Sequence, residues 1–255
     1  VNKKDLFNLE GKTALVTGSG RGLGREIALG LAHYGASLVL ADAVYPEETE
    51  KLIRQKGYSC IAIQTDISDE EQVGKLSKKA AAECRQVDIL VNNAGVSQLS
   101  YTATEDLPLD EWDRIIETNL RGTFLCCKNL GKLMIDAGGG SIVNIASTAG
   151  VTGVQRAPAY CASKSAIILL TKSLALEWAR HNIRVNAIAP HYLETDLTKG
   201  LRDSDKVHSA LKKQIPLGRF GKTSEVIGAV LYLTSDASTY TTGAVIPVDG
   251  GYLAQ

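Results

Sequence analysis

No Pro-, Gly- or Ser-rich linker and no abrupt change of composition divides these 255 residues. One large domain over 1–255, with ample chain to bury a core, is therefore the simplest organisation. No sign of charge dominates: 28 basic and 28 acidic side chains cancel at neutral pH and are scattered along the chain. That removes the electrostatic footprint of a nucleic-acid or anionic-membrane binder and points to a small-molecule partner. No C-x-x-C pair, and no metal-ligand spacing with any of the four histidines, involves Cys60, Cys84, Cys126, Cys127 or Cys161. No metal site is expected, and reduced thiols in a cytoplasm fit best. The N-terminus carries Lys3 and Lys4 without an apolar h-region, and no later stretch reads as the ~20 apolar residues of a membrane span. The expectation is a cytoplasmic protein with no nucleic-acid or membrane partner.

What is present is alternation. Short, mostly apolar, β-branched runs at 13–17, 37–41, 59–64, 89–92, 141–145, 184–188 and 244–248 read as seven strands covered on both faces. Amphipathic stretches at about 22–34, 46–56, 69–85, 109–137, 157–181 and 224–235 read as helices between them. This predicts a doubly wound α/β (Rossmann) domain with a seven-stranded parallel sheet and helices on both faces. Ser68 or Asp69, with Glu71 or Gln72 three residues on, suggests a capping box, and Pro46 suits a first helical turn. The segment 191–220 breaks the alternation; long, polar and closed by Pro216 and Gly218, it reads as a lid over a substrate. Residues 1–10 read as a short arm.

Directly after the first strand comes Thr17-Gly18-Ser19-Gly20-Arg21-Gly22-Leu23-Gly24, opening into the first helix. Missing Cβ atoms let backbone approach a pyrophosphate, and a helix N-terminus offers unpaired N–H donors with partial positive charge. The second strand ends in Asp42, eighteen residues beyond Gly24, where a carboxylate can accept hydrogen bonds from the adenosine ribose hydroxyls. A 2′-phosphate would meet a like charge there, which favours NAD; Arg21, able to reach a phosphate from the glycine loop, keeps NADP as the second choice. The third strand ends at Asp66-Ile67 and the fourth at Asn92-Asn93-Ala94-Gly95, both at carboxyl ends of strands, where open parallel sheets bind ligands.

TG-x-x-x-G-x-G, the Asp66 step and NNAG, in this order, resemble the short-chain dehydrogenase/reductase family. The resemblance implies that the Asp66 position binds the adenine amino group and that Asn92 to Gly95 support the sheet and line the cofactor. Tyr160-Cys161-Ala162-Ser163-Lys164 reproduces the family's Y-x-x-x-K, and its i, i+4 spacing sets both side chains on one helix face. Reducing a ketone requires a proton for the developing alkoxide, and the reverse requires a base, so a phenol of pKa ~10 has to become more acidic. A neighbouring ammonium does this by stabilising phenolate. Lys164 is also implied to bind the nicotinamide ribose. Ser147, thirteen residues before Tyr160, is placed to polarise the substrate oxygen, and Asn119 matches the position that holds a water in the proton relay. With Asn119, Ser147, Tyr160 and Lys164 all present, a non-catalytic dinucleotide sensor on the same fold is the remote alternative.

The sixth strand runs into Pro190-His191-Tyr192-Leu193-Glu194-Thr195, where relatives usually have Pro-Gly, so His191 departs from the pattern. Pro190, Leu193 and Thr195 are implied to line the nicotinamide, and a positive φ at His191 would cost something. The resemblance extends to Pro216-Leu217-Gly218-Arg219-Phe220 and Val248-Asp249-Gly250-Gly251. The segments 6–12 and 177–183 look like gluconate 5-dehydrogenases and related sugar-acid or polyol dehydrogenases; 3-oxoacyl-acyl-carrier-protein reductase is the alternative, and Asp42 counts against its usual NADPH. The loop Val96 to Tyr101 lacks the arginines that would hold a carboxylate, leaving Arg156, Lys199, Arg202 and Lys206 as anion candidates. Gln98, Ser147, Gln155, Tyr160, His191 and Tyr192 are expected around the substrate carbon. The family commonly forms tetramers through the two long helices bearing Asn119 and Tyr160, whose excess of apolar residues agrees with a homotetramer.

Overall fold

The strands form where the apolar runs predict. In the computed structural model, which describes residues 6–99 and 102–255, they are β1 (Thr13–Thr17), β2 (Ser37–Asp42), β3 (Cys60–Gln64), β4 (Ile89–Asn92), β5 (Gly140–Ile145), β6 (Ile183–Pro190) and β7 (Val245–Val248). They make one sheet in the order β3-β2-β1-β4-β5-β6-β7, with every neighbouring pair parallel. The order reverses between β1 and β4, which opens a crevice at their carboxyl ends.

The helices are α1 (Gly22–His33), α2 (Glu47–Gln55), α3 (Glu70–Glu83), α4 (Leu109–Ile116), α5 (Thr123–Ala137), α6 (Pro158–Trp178), α7 (Lys199–Arg202), α8 (Asp205–Lys212) and α9 (Ile227–Thr234). Because strand side chains alternate between faces, Ala14, Val16, Leu38 and Leu40 pack with residues of α1, α2 and α9, whereas Leu15, Val39, Leu90 and Ile142 pack with α3, α5 and α6. Both faces are covered, and that is why the strands read as unbroken apolar runs rather than alternating ones.

Asp69 caps α3: its carboxylate accepts from the N–H groups of Glu71 and Gln72 at 2.8 and 3.1 Å. Gln72 returns from the first turn to Asp69 Oδ2 at 2.9 Å and accepts from Asp66 N at 2.9 Å, tying the end of β3 to the helix. Pro46 stands one residue earlier than expected, at the N-cap of α2. Leu9, in the expected N-terminal arm, is buried and bonded through its N–H to Tyr34 O at 2.8 Å, so that the arm is docked from there onward.

Three expectations need correction. The stretch 109–137 is not one α-helix: a π turn, Glu117–Gly122, interrupts it between α4 and α5. Apolar periodicity could not reveal this, since a wider turn leaves buried residues on both sides of it. The segment 191–220 is not bare loop, for it contains α7 and α8. Finally, Pro158–His181 is long and apolar enough, by length and composition, to cross a bilayer. Its buried face, with Ile167, Leu174, Ala175 and Trp178, belongs to the core of this domain, and its first turns hold the buried Lys164.

Candidate active site

The glycine loop leaves β1 at Thr17 and is held from three sides. Asn93 Nδ2 donates to the carbonyls of Thr17 and Gly18, both at 3.0 Å, and Thr17 Oγ1 accepts from the N–H groups of Asn93 and Ala94 at 3.1 Å. The loop and the NNAG turn are thus one unit. Arg25 and Thr49 fix its other side: Arg25 Nη2 and Nε donate to Gly20 O at 2.5 and 3.1 Å, and Thr49 Oγ1 donates to Ser19 O at 2.8 Å. Arg25 is in turn ion-paired with Glu48 at 2.7 Å. Gly24 has no room for a side chain; a Cβ there would lie 2.0 Å from Gly18 O.

This cradle fits a dinucleotide. Among the described residues no side chain caps the N-terminus of α1 and no acidic residue stands in its first turn, so its N–H donors are available to an anion. Gly22 takes φ 53°, and the nearest neighbour to a Cβ built there is Thr195, 3.9 Å away on the segment after β6. Thr195 thus stands within van der Waals reach of a side-chain carbon at this position of the glycine loop. Leu23 follows inside α1, and Arg21, at the N-cap, is exposed.

Asp42 ends β2 and is drawn onto the same loop, its Oδ2 accepting from Gly20 N at 2.8 Å and its Oδ1 from Val44 N at 3.2 Å. Asp66 Oδ1 accepts from the Ser68 N–H and hydroxyl at 2.9 and 2.7 Å, beside the buried Ile67. Gly95 lies against Asn119 Oδ1 and Lys164 Nζ, which joins the end of the NNAG turn to two of the residues expected to be catalytic. Asn92 is placed differently from the expected cofactor lining: its amide is buried in the sheet, with Nδ2 donating to Asn144 Oδ1 at 2.9 Å and to Cys127 Sγ at 3.2 Å. It braces β4 against β5 and α5.

Lys164 and Tyr160, one helical turn apart on α6, meet as the spacing requires, with Lys164 Nζ 5.8 Å from the centre of the Tyr160 ring. Nζ donates to Ile145 O at 2.8 Å, and burial lowers its pKa from the usual 10.5 to about 8. The ammonium is thus still charged near neutral pH, with a β5 carbonyl fixing its position. Asn119, inside the π turn, donates to Val96 O at 2.9 Å and to Ser163 Oγ at 3.1 Å and accepts from Val96 N at 2.8 Å. It binds the loop after NNAG to α6, and such wide turns recur at functional positions. Ser147 follows β5, its hydroxyl accepting from Ala149 N at 3.1 Å and donating to Pro190 O at 3.5 Å, so β5 and β6 deliver Ser147 and Pro190 to one place.

His191 follows Pro190 without a positive φ, so the departure from Pro-Gly carries no backbone strain. Its Nδ1 lies 2.7 Å from Thr148 Oγ1, its ring stacks on Tyr252 with centroids 3.8 Å apart, and burial lowers its pKa to about 4. Tyr192 packs on the same ring and stacks on Phe220. Gln98 is buried and donates to Arg156 O at 2.9 Å, and Arg156 itself takes φ 61°. Gln155 is exposed on the loop before α6. Leu193 is buried, and Arg202 donates to Thr195 O at 2.9 Å. Ser100 and Tyr101, in the loop after NNAG, lie outside the described residues. Arg25, Thr49, Thr148 and Tyr252 were not apparent from sequence, because their partners come from distant segments and no local pattern marks them.

A family model described as enoyl-(acyl carrier protein) reductase matches residues 18–253. The 2-dehydro-3-deoxy-D-gluconate 5-dehydrogenase of Bacillus subtilis (strain 168) is 42% identical, over 98% of this chain and 98% of its own. The chain is a short-chain dehydrogenase/reductase. To this short-chain dehydrogenase/reductase the NAD-dependent glycerol dehydrogenase of Listeria innocua serovar 6a is also 42% identical, over 96% of this chain and 95% of its own. The crystal structure of a gluconate 5-dehydrogenase from Burkholderia cenocepacia J2315, in complex with NADP and tartrate, matches with a TM-score of 0.95 at 34% identity over the whole of both chains. The short-chain dehydrogenase/reductase is accordingly an oxidoreductase of CH–OH groups that binds a nicotinamide dinucleotide.

Proposed function

We propose that this enzyme oxidises a secondary alcohol of a small polyhydroxylated compound, a sugar acid or polyol, to a ketone, with NAD as the preferred acceptor. The observation that carries the reading is the Tyr160–Lys164 pair, anchored by the bond from Lys164 to Ile145 O two residues before Ser147 at the carboxyl end of β5. A bound nicotinamide ring supplies the acceptor for the hydride that leaves the carbinol carbon. Tyr160 Oη takes the hydroxyl proton as the C=O forms, and the Lys164 charge favours the phenolate that does so. Ser147 Oγ donates to the substrate oxygen and holds it in place. Asn119 keeps the loop after NNAG against α6, with a water in its neighbourhood as the relay for the proton.

Gly18, Arg21, Gly22, Leu23 and Gly24 are assigned to the pyrophosphate, and Asp42 to the adenosine ribose. Asp66 and Ile67 are assigned to the adenine. Ala94, Gly95, Pro190, Leu193 and Thr195, with Lys164, are assigned to the nicotinamide half. The similarity to a glycerol dehydrogenase that is NAD-dependent and the Asp42 carboxylate support NAD. A cytoplasmic homotetramer completes the proposal; Phe124 on α5 and Leu169 and Leu176 on α6 are exposed apolar side chains on the helices expected to meet, and sedimentation as a monomer at micromolar concentration would contradict it.

The decisive experiment is Tyr160→Phe. Turnover of every accepted alcohol should fall by roughly 10²–10⁴ while NADH still binds. Turnover at the wild-type rate would remove the mechanism.

A further inference from the structure

Asp42 does not stand free at the end of β2. Its Oδ2 accepts from Gly20 N at 2.8 Å, and the approach is so close that a Cβ at Gly20 would meet the same oxygen at 3.0 Å. The peptide that supplies this N–H joins Ser19 to Gly20, and its carbonyl is held as well: Thr49 Oγ1, on α2, donates to Ser19 O at 2.8 Å. One peptide plane is therefore gripped between a hydroxyl and a carboxylate. Turning it would move the carbonyl and the N–H in opposite directions and break both bonds. Gly18, Gly20 and Gly22 have no side chains that could hold this plane by packing, so its hydrogen bonds set its orientation.

Arg25 sets the direction of the Thr49 hydroxyl. Its Nε donates to Thr49 Oγ1 at 3.1 Å, so the proton of that oxygen turns away, towards Ser19 O; Gly20 O is farther from it, at 3.2 Å. The same guanidinium holds Gly20 O directly and is ion-paired with Glu48 at 2.7 Å. Thr49 is wholly buried, so water cannot take over its part. The bonds run in one direction, from the guanidinium through the hydroxyl and the peptide to the Asp42 carboxylate. With a cation at the donor end and an anion at the acceptor end, each bond polarises the next and strengthens it.

A carboxylate offers about four lone-pair sites. Gly20 N occupies one on Oδ2 and Val44 N one on Oδ1, which leaves a site on each oxygen for the neighbouring 2′- and 3′-hydroxyls of a ribose. A pinned carboxylate meets those hydroxyls without first being ordered, and it cannot swing aside from a 2′-phosphate. We infer that Arg25 and Thr49 are positioning residues for coenzyme choice, acting through the Ser19–Gly20 peptide on Asp42 rather than on the coenzyme itself. The inference rests on the assignment of Asp42 to the adenosine ribose.

The test measures Kd for NADH and for NADPH by fluorescence of the reduced ring in Thr49→Val, which removes the hydroxyl and keeps the branched shape. NADH affinity should fall about tenfold, and the preference for NADH over NADPH should narrow by about as much. The loss should appear in KM for NAD, with kcat at saturating coenzyme little changed. Thr49→Ser, which restores the hydroxyl, should recover most of the preference. A clamp that merely shaped the loop would weaken both coenzymes alike, since they share the pyrophosphate, and would leave the ratio where it was. Arg25→Met should narrow the ratio as Thr49→Val does, and it decides the matter if Thr49→Val does not fold; a guanidinium that met the 2′-phosphate itself would widen the ratio on removal. In an Asp42→Ala background neither substitution should move the ratio, because the three residues act in series. An unmoved ratio in Thr49→Val, a widened one in Arg25→Met, or equal effects with and without Asp42 overturns the inference. If wild type prefers NADPH, or Asp42→Ala alone leaves the ratio unmoved, the assignment of Asp42 fails and the inference with it. If Asp42→Ala moves the ratio and Thr49→Val does not, the positioning role alone is wrong.

Discussion

Lys164 Nζ stands 5.8 Å from the centre of the Tyr160 ring while donating to Ile145 O at 2.8 Å, so strand β5 holds the cation that serves helix α6. The same burial that fixes the ammonium also penalises it, so the function proposed for Lys164 and the stability of the fold are opposed at this one residue.

Replacing the charge should separate the two. Lys164→Met should lower kcat by roughly 10²–10⁴ and raise unfolding stability at pH 7 by about 3 kcal/mol. The folded-state pKa, about 8, lies below the usual 10.5. Below about pH 8 both states carry the charge and the whole penalty is present; above it the folded state sheds its proton first, and the penalty fades towards 10.5. The advantage of the variant in urea titrations should shrink over that window. A constant advantage from pH 7 to 10 would contradict the assignment.

His191 contributes in the acid range. Its pKa falls from 6.5 to about 4, with burial the larger cause and Asp249 opposing it. Above 6.5 the ring is neutral in both states and its contribution is whole. Between 6.5 and 4 only the unfolded chain takes the proton, so stability is lost as pH falls. His191→Gln should lose less stability than wild type between pH 7 and 4.5, by of order 1–2 kcal/mol after allowance for partial exposure. Equal acid losses would show that the ring is already solvated.

Coenzyme choice is expected to follow Asp42. Wild type should give a higher kcat/KM with NAD than with NADP, and Asp42→Ala should narrow that preference by about tenfold or more through loss of the like charge. The variant also frees Gly20 N and Val44 N, so its affinity for NADH should fall. A wild-type preference for NADP would remove this role from Asp42.

Gly24→Ala tests the cradle. A methyl group 2.0 Å from Gly18 O cannot be accommodated without moving the loop. The variant should lose dinucleotide affinity by about a hundredfold or fail to fold, and unaltered NADH binding would show that the loop yields more easily than its bonds to Asn93, Arg25 and Thr49 suggest.

The sheet was legible because strands buried on both faces leave uninterrupted apolar runs, and β1 and β4 lie at the predicted residues. Tyr160, Lys164 and the glycine loop were legible because their spacing alone decides whether they meet. Asn92 supports the sheet as expected, but sequence order does not tell which way a strand-end amide turns, and Asn144 and Cys127 decide that. The stacking of Tyr252 on His191 spans the chain from β6 to its last residues, and no local pattern records it.

The π turn at Glu117–Gly122 acts as a phase shift between two lengths of helix. Removing one residue from it would let a regular ladder form, yet each residue of α-helix turns the chain by about 100°. Cys127, Leu130 and Met134, all buried against the sheet, would then swing sideways, or else Asn119 would leave Val96. The length of this segment is thus fixed from both ends, and a single-residue deletion there should be less tolerable than most side-chain replacements.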